Sequence, residues 1–168
     1  MKESGVTLIE LLVTLTIIVI LASVALPLNR VSMKRSHEIE LRQDLRIMRA
    51  AIDLFKLEWN RDGDVLIGPL CVKNKLACKD VTSIYGYPKS LDTLLGVKLT
   101  SEEATVRGTT IRRYLRHLPL DPITGERKWQ FRCYKDGPNP ISWCGDDVYD
   151  VMTVSEETAL DGTKYRDW

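Results

Sequence analysis

Between Val6 and Leu28 lie 23 residues, of which seventeen are Ala, Val, Leu or Ile and one, Glu10, is charged. A helix of this length spans about 35 Å, enough to cross a hydrocarbon core of about 30 Å. A cleaved secretory signal has a basic start, a shorter apolar stretch and a small-residue cleavage site after it. Here the stretch is too long, and Arg30, Lys34 and Arg35 follow where that site belongs. The sequence predicts a retained helix.

The averages conceal this organisation. The 168 residues are 44% apolar and 28% charged, with a net charge of +1. Those totals exclude a disordered chain, a disulfide-dense miniprotein and a polytopic membrane protein. Without the apolar run, about 39% of the remainder is apolar, which suits a small globular domain.

Glu10 is the odd residue in the run. A carboxylate in an apolar helix is costly to bury and calls for a partner. One reading makes it interfacial, five residues after Gly5 and able to reach headgroups. The other gives it a partner.

The stretch Gly5-Val6-Thr7-Leu8-Ile9-Glu10-Leu11-Leu12-Val13 resembles the class III leader junction of type IV pilins and type II secretion pseudopilins. In that family a prepilin peptidase cuts after the glycine on the cytoplasmic side and methylates the new N-terminus. The resemblance implies a leader over residues 1–5, cleavage and N-methylation at Gly5 and Val6, an assembly role for Glu10 and a helix kink at Pro27. Phe is commoner in the family at the position of Val6. Cleavage would give Val6 a free amine, and the Glu10 of a neighbouring subunit could pair with it in an apolar filament core. A buried charge is tolerable with such a partner.

One signal points the other way. Basic residues follow the run, whereas only Lys2 and the N-terminal amine precede it. The positive-inside rule would place the body in the cytoplasm. The cysteines and the resemblance place it outside, and that orientation is preferred.

Beyond Pro27 the pattern turns amphipathic. Leu41, Leu45, Met48, Ile52, Phe55 and Trp59 are spaced 4, 3, 4, 3, 4, a heptad seam. Arg42, Asp44, Arg46, Arg49, Asp53 and Lys56 lie mostly off it. A helix packed on its own domain is preferred over a separate coiled coil, with a stop at Asn60 to Gly63. Residues 6 to about 60 thus form one long helix. Residues 62–87 read as a loop. Pro88 reads as the first residue of a short helix over Lys89–Leu95, and Thr109–His117 reads as another. Lys128–Tyr134 and Val148–Val154 alternate as strands do. The fold class is α+β, with a long helix packed on a small domain of short helices and a small antiparallel sheet. The units are a leader at 1–5, a transmembrane and filament-core helix at 6–28, its amphipathic second half at 29–61 and a periplasmic globular domain at 62–168.

The body extends the resemblance. Tyr87-Pro88-Lys89-Ser90-Leu91, Leu118-Pro119-Leu120-Asp121-Pro122, Trp129, Tyr149-Asp150-Val151 and Leu160-Asp161-Gly162-Thr163-Lys164-Tyr165-Arg166-Asp167-Trp168 are similar to segments of the major pseudopilins of type II secretion. Residues 62–82 have no counterpart there. The resemblance implies a structural, non-enzymatic subunit of a secretion pseudopilus, anchored in the inner membrane with its domain in the periplasm. It would polymerise to help export folded proteins across the outer membrane. The implied partners are copies of itself, minor pseudopilins, the prepilin peptidase, the assembly platform with its ATPase, and the lipid bilayer. The alternatives are a surface pilin for adhesion, motility or DNA uptake, and a monomeric tethered binding or enzyme domain.

Cys71, Cys78, Cys133 and Cys144 all follow the apolar run, and an even number outside the membrane fits two disulfides in an oxidising compartment. Local pairing, Cys71 with Cys78 and Cys133 with Cys144, is preferred among three connectivities, with buried thiols as the alternative. The spacings match neither common zinc ribbons nor a c-type haem site.

Relatives of this kind often bind calcium in an acidic, glycine-rich loop. Asp146, Asp147, Asp150 and Asp161 are the candidate ligands here, with Glu156 and Glu157 close in sequence. Ser155-Glu156-Glu157-Thr158 replaces the usual Asp-Gly run. Residues 107–135 carry a net +6 and residues 145–168 a net −5. Internal pairing and contact between subunits both account for that; nucleic-acid binding fits less well with a balanced total. Only His37 and His117 exist, and no hydrolase, zincin, phosphate-loop or dinucleotide motif is present.

Overall fold

The structure, a computed structural model, describes residues 6–100, 110–137 and 142–168, except the side chains of Val24, Leu26 and Pro27. A single helix, α1, runs from Leu8 to Trp59 with unbroken helical assignment through position 27. The heptad seam is its buried face. Leu41, Leu45, Met48, Ile52, Phe55 and Trp59 are each at most 2% exposed, and they form one cluster with Leu94, Val97, Val148, Val151 and Tyr165. The period therefore reported a helix packed on its own domain.

After α1 come the short strands β1 (Arg61–Asp62) and β2 (Val65–Leu66), then the helices α2 (Pro69–Lys73), α3 (Lys75–Val81) and α4 (Asp92–Leu95). The remaining strands are β3 (Val97–Lys98), β4 (Ile111–Arg112), β5 (Trp129–Arg132) and β6 (Asp150–Thr153), and a 3₁₀ turn covers Tyr165–Asp167. The strands form three antiparallel pairs, β1 with β2, β3 with β4 and β5 with β6. In the longest pair Trp129 stands opposite Thr153 and Arg132 opposite Asp150. The α+β architecture is the one the sequence predicts.

Three local expectations are corrected. Residues 62–87 are structured: Pro69 opens α2 as a first-turn proline, and Asn74 links α2 to α3. The buried Asn74 side chain donates to Leu70 O at 3.0 Å and accepts from Thr100 N at 2.8 Å, holding this helical pair to the domain. Pro88 does not start a helix; it bridges to Thr82, and its carbonyl accepts from Val148 N. The turn that follows begins later, at Asp92. The expected helix over Thr109–His117 is instead strand β4 and bends. Ile111 and Arg112 pair with Lys98 and Val97, and the amides of Tyr114 and Leu115 both donate to Leu94 O. Thr109 lies outside the described residues. Long-range pairing overrides local helical spacing here.

Where α2 meets the end of α1, backbones come very close. A Cβ on Gly68 would lie 2.4 Å from both Asn60 N and Glu58 O. Neither backbone atom can move without disturbing the helix end, so overpacking there is costly. Gly68→Ala is expected to lower stability by about 1–3 kcal/mol, read as a fall in melting temperature of the purified chain.

Asp44 lies beside the seam. Burial, and then the carboxylates of Glu40 and Asp121, push its carboxyl above the ordinary range, with His117 pulling the other way. The folded chain thus holds this proton to higher pH than the unfolded chain does. The resulting stability is present at low pH and lost as pH rises through the folded value. Asp44→Asn is expected to raise the melting temperature at neutral pH and to leave it nearly unchanged below about pH 3, where the native carboxyl is already protonated.

Candidate assembly site

The first turn of α1 is built by Thr7. Its backbone is extended (φ −77°, ψ 152°), and its Oγ1 accepts from Glu10 N at 3.4 Å while its carbonyl accepts from Leu11 N at 3.2 Å. Thr7 and Glu10 stand in the spacing of a capping box. Glu10 therefore sits in the first turn, where the helix dipole favours a negative charge.

The apolar run contains few other polar side chains, and most are satisfied within the helix. Thr14 Oγ1 donates to Leu11 O at 2.9 Å, Thr16 Oγ1 to Val13 O at 2.8 Å and Ser23 Oγ to Ile20 O at 2.7 Å. Such back-bonding is what hydroxyls do where water is scarce. Among the described residues, the Glu10 carboxylate accepts no hydrogen bond and makes no ion pair within the chain. It is exposed, and so is the surface around it, from Val6 (68%) through Leu8, Ile9 and onward to Leu21. This is the one helix long and apolar enough to cross a membrane among the described residues. Val6 is described, whereas Gly5 and the rest of the leader at 1–5 lie outside the described residues.

The second half of α1 holds the last segment of the chain through a ladder of charged side chains flanking the seam. Lys34 Nζ donates to Thr158 O at 2.7 Å, and Glu38 Oε1 accepts from Leu160 N (2.7 Å) and Tyr165 Oη (2.9 Å). Arg42 pairs with Asp161 at 3.1 Å and lies 4.0 Å over the Trp168 ring. Arg49 reaches furthest, donating to Asp150 Oδ1 (2.7 Å), Val151 O (3.2 Å) and Trp168 O (2.5 Å). The sequence reading places Arg42 and Arg49 off the seam and Lys34 after the apolar run, assigns none of them this role and does not single out Glu38. The signal was the spacing of Lys34, Glu38 and Arg42, which puts them on one face.

At the other end of α1, Glu58 accepts from Arg112 through both carboxylate oxygens (2.9 and 2.6 Å) and from Tyr114 Oη at 2.6 Å. Burial, then this carboxylate, raises the Tyr114 phenol well above its usual value. The network fixes β4 to the helix.

The cysteines pair locally. Cys71 joins Cys78 and Cys133 joins Cys144, with Cα separations of 4.9 and 6.1 Å. The first bridge ties α2 to α3. The second closes the segment between β5 and β6, where Asp136 Oδ2 accepts from Cys133 N at 2.9 Å.

The candidate calcium ligands do not converge. Asp146 pairs with Lys135, and the buried Asp147 accepts from Tyr134 N at 2.9 Å. Asp150 is shared by Arg49 and Arg132, and Asp161 is held below its usual range by Thr163 and then Arg42. A calcium shell needs six to eight oxygens around one point. Among the described residues the one tight group of potential ligands is Cys133, Asp136 and Cys144, and its sulfurs are joined in a disulfide. The charged stretches are partly paired within the chain, through Arg132 with Asp150 and Lys135 with Asp146.

The family model described as the prokaryotic N-terminal methylation motif matches residues 1–26. No curated protein and no solved structure matches the chain. The motif spans the Gly5–Val6 junction, Glu10 and most of the exposed apolar run. It supports a type IV pilin-like subunit of the prepilin-processed kind.

Proposed function

We propose that the chain is a structural subunit of a type II secretion pseudopilus, held in the inner membrane until it polymerises, with its domain in the periplasm. The observation that carries the assembly part of this reading is the Glu10 carboxylate. Every hydroxyl described in the apolar run is satisfied within its own helix, and the carboxylate is not. When neighbouring helices cover that surface, an unpaired charge would cost several kcal/mol, whereas a pair of charges is tolerated. The amine released at Val6 by cleavage after Gly5 is a charge of the right sign, placed close to the helix start. The partner it needs is another copy.

The secretion role rests on the body. The segment Leu160–Trp168, similar in sequence to the major pseudopilins, is strapped onto the helix by Glu38, Arg42 and Arg49. The segment Leu118–Pro122 also has a structural place, since Asp121 is buried and bonded to Thr153 Oγ1 at 2.5 Å. In the cell the remaining partners of such a subunit are the minor pseudopilins and the assembly platform with its ATPase. Deleting the gene tests the reading. Loss of exoprotein from the medium, restored by the wild-type chain, is expected. Normal secretion together with loss of long surface filaments would assign the chain to a pilus instead.

A further inference from the structure

Arg61 is a cation in an unusual position. It begins β1, directly after α1, and is only 8% exposed. Its Nε donates to Ser83 O at 2.7 Å and its Nη2 to Thr82 O at 3.3 Å. Both acceptors are neutral carbonyls. A guanidinium has five N–H donors and keeps its charge at any physiological pH. Among the described residues no carboxylate lies within ion-pair distance of it. The acid that feels its charge, Asp64, is exposed and bonded to Lys79 at 3.1 Å.

Arg61 lines a cavity of about 370 Å³ together with Tyr85, Lys89, Lys135, Asp146 and Asp147. The charges of this wall do not cancel. Lys135 and Asp146 pair with each other. Asp147 accepts from Tyr134 N, and its field acts on Lys56, whose ammonium lies 4.1 Å from the Tyr87 ring. Lys89 donates to a carbonyl, Lys79 O, at 2.9 Å. Three cations and two carboxylates thus line the space, and Arg61, more than nine-tenths buried, and Lys89 hydrogen-bond only to neutral carbonyls. A buried charge is strongly destabilising unless it is paired.

We propose that this cavity binds a small oxyanion, a carboxylate or phosphate group, held by Arg61 and Lys89. The guanidinium N–H groups not engaged by Ser83 O and Thr82 O, on Nη1 and Nη2, form an edge that matches two oxygens of such a group, and the exposed Lys89 adds a point charge. The site does not depend on the filament reading.

The test is calorimetric titration of the full-length chain in detergent with sodium phosphate and with sodium succinate, at ionic strength matched with sodium chloride. Saturable binding at one site is expected. Lys89→Ala should weaken it about tenfold, the loss of one charge-assisted hydrogen bond. Arg61→Lys, which keeps the charge and removes that edge, should weaken it at least as much. Tighter phosphate binding assigns the site to phosphate groups, and tighter succinate binding to carboxylates. Absence of saturable binding of either anion to the wild-type chain would overturn the proposal. So would variants that bind as the wild type does. If Arg61→Lys fails to fold, the Lys89→Ala result decides, because that residue is exposed.

Discussion

Replacing Glu10 by glutamine is expected to leave the chain in the membrane fraction and to abolish its filaments. The substitution removes the one charge from a run of 23 residues, seventeen of them aliphatic, so insertion is unaffected or improved. Assembly is a different matter. Within a bundle of apolar helices the Val6 amine would lose its counter-charge, and breaking a buried pair from one side costs about 3–5 kcal/mol. That corresponds to a fall in subunit association of at least about two orders of magnitude. Membrane fractionation and electron microscopy of the same cells measure the two effects separately. Normal filaments from the variant would make Glu10 an interfacial residue that merely reaches headgroups.

The second large effect lies at the far end of the same helix. Trp59 is fully buried, stacks on Phe55 with ring centroids 6.0 Å apart, and donates from Nε1 to Tyr114 Oη at 2.7 Å. Trp59→Ala should lower stability by about 3–5 kcal/mol, a large part of the 5–15 kcal/mol that a domain typically has. A fall in melting temperature of about 10 °C or more is expected. Trp59→Phe keeps most of the volume and loses the hydrogen bond, so its effect should be markedly smaller. Equal losses from the two variants would show that the bond, and not the packing, fixes the helix end.

How much of this was legible in the sequence depends on the range of the interactions involved. The seam from Leu41 to Trp59 is a local period, and each of its six residues is buried. Lys128–Tyr134 and Val148–Val154 read as strands, and within them Trp129–Arg132 and Asp150–Thr153 pair as strands. The expected helix over Thr109–His117 fails because Val97, Lys98 and Leu94 decide the pairing of Ile111, Arg112, Tyr114 and Leu115 from a distance. The helices at 69–81 are too short to show a period. Their one local mark is Gly68-Pro69, in which the glycine meets the helix end and the proline starts α2.

The assembly site follows the same division. Glu10 stands out in the sequence as a lone charge, but that the neighbouring hydroxyls need nothing from outside required the hydrogen bonds of Thr14, Thr16 and Ser23. The acidic residues of the 145–168 stretch suggested metal ligands by composition. Three-dimensional placement gives Asp146, Asp150 and Asp161 to lysine and arginine partners, and Asp147 to a backbone amide. The ladder of Lys34, Glu38, Arg42 and Arg49 is not legible in the sequence, since its partners lie more than a hundred residues away and many of them are backbone atoms.

On the proposed reading, cleavage after Gly5 creates the charge that Glu10 of a neighbouring copy requires. Mass spectrometry of the mature chain from its native membrane tests it most directly. An N-terminal peptide beginning at a methylated Val6 is the predicted result. A mature chain that retains Met1 to Gly5 would contradict it.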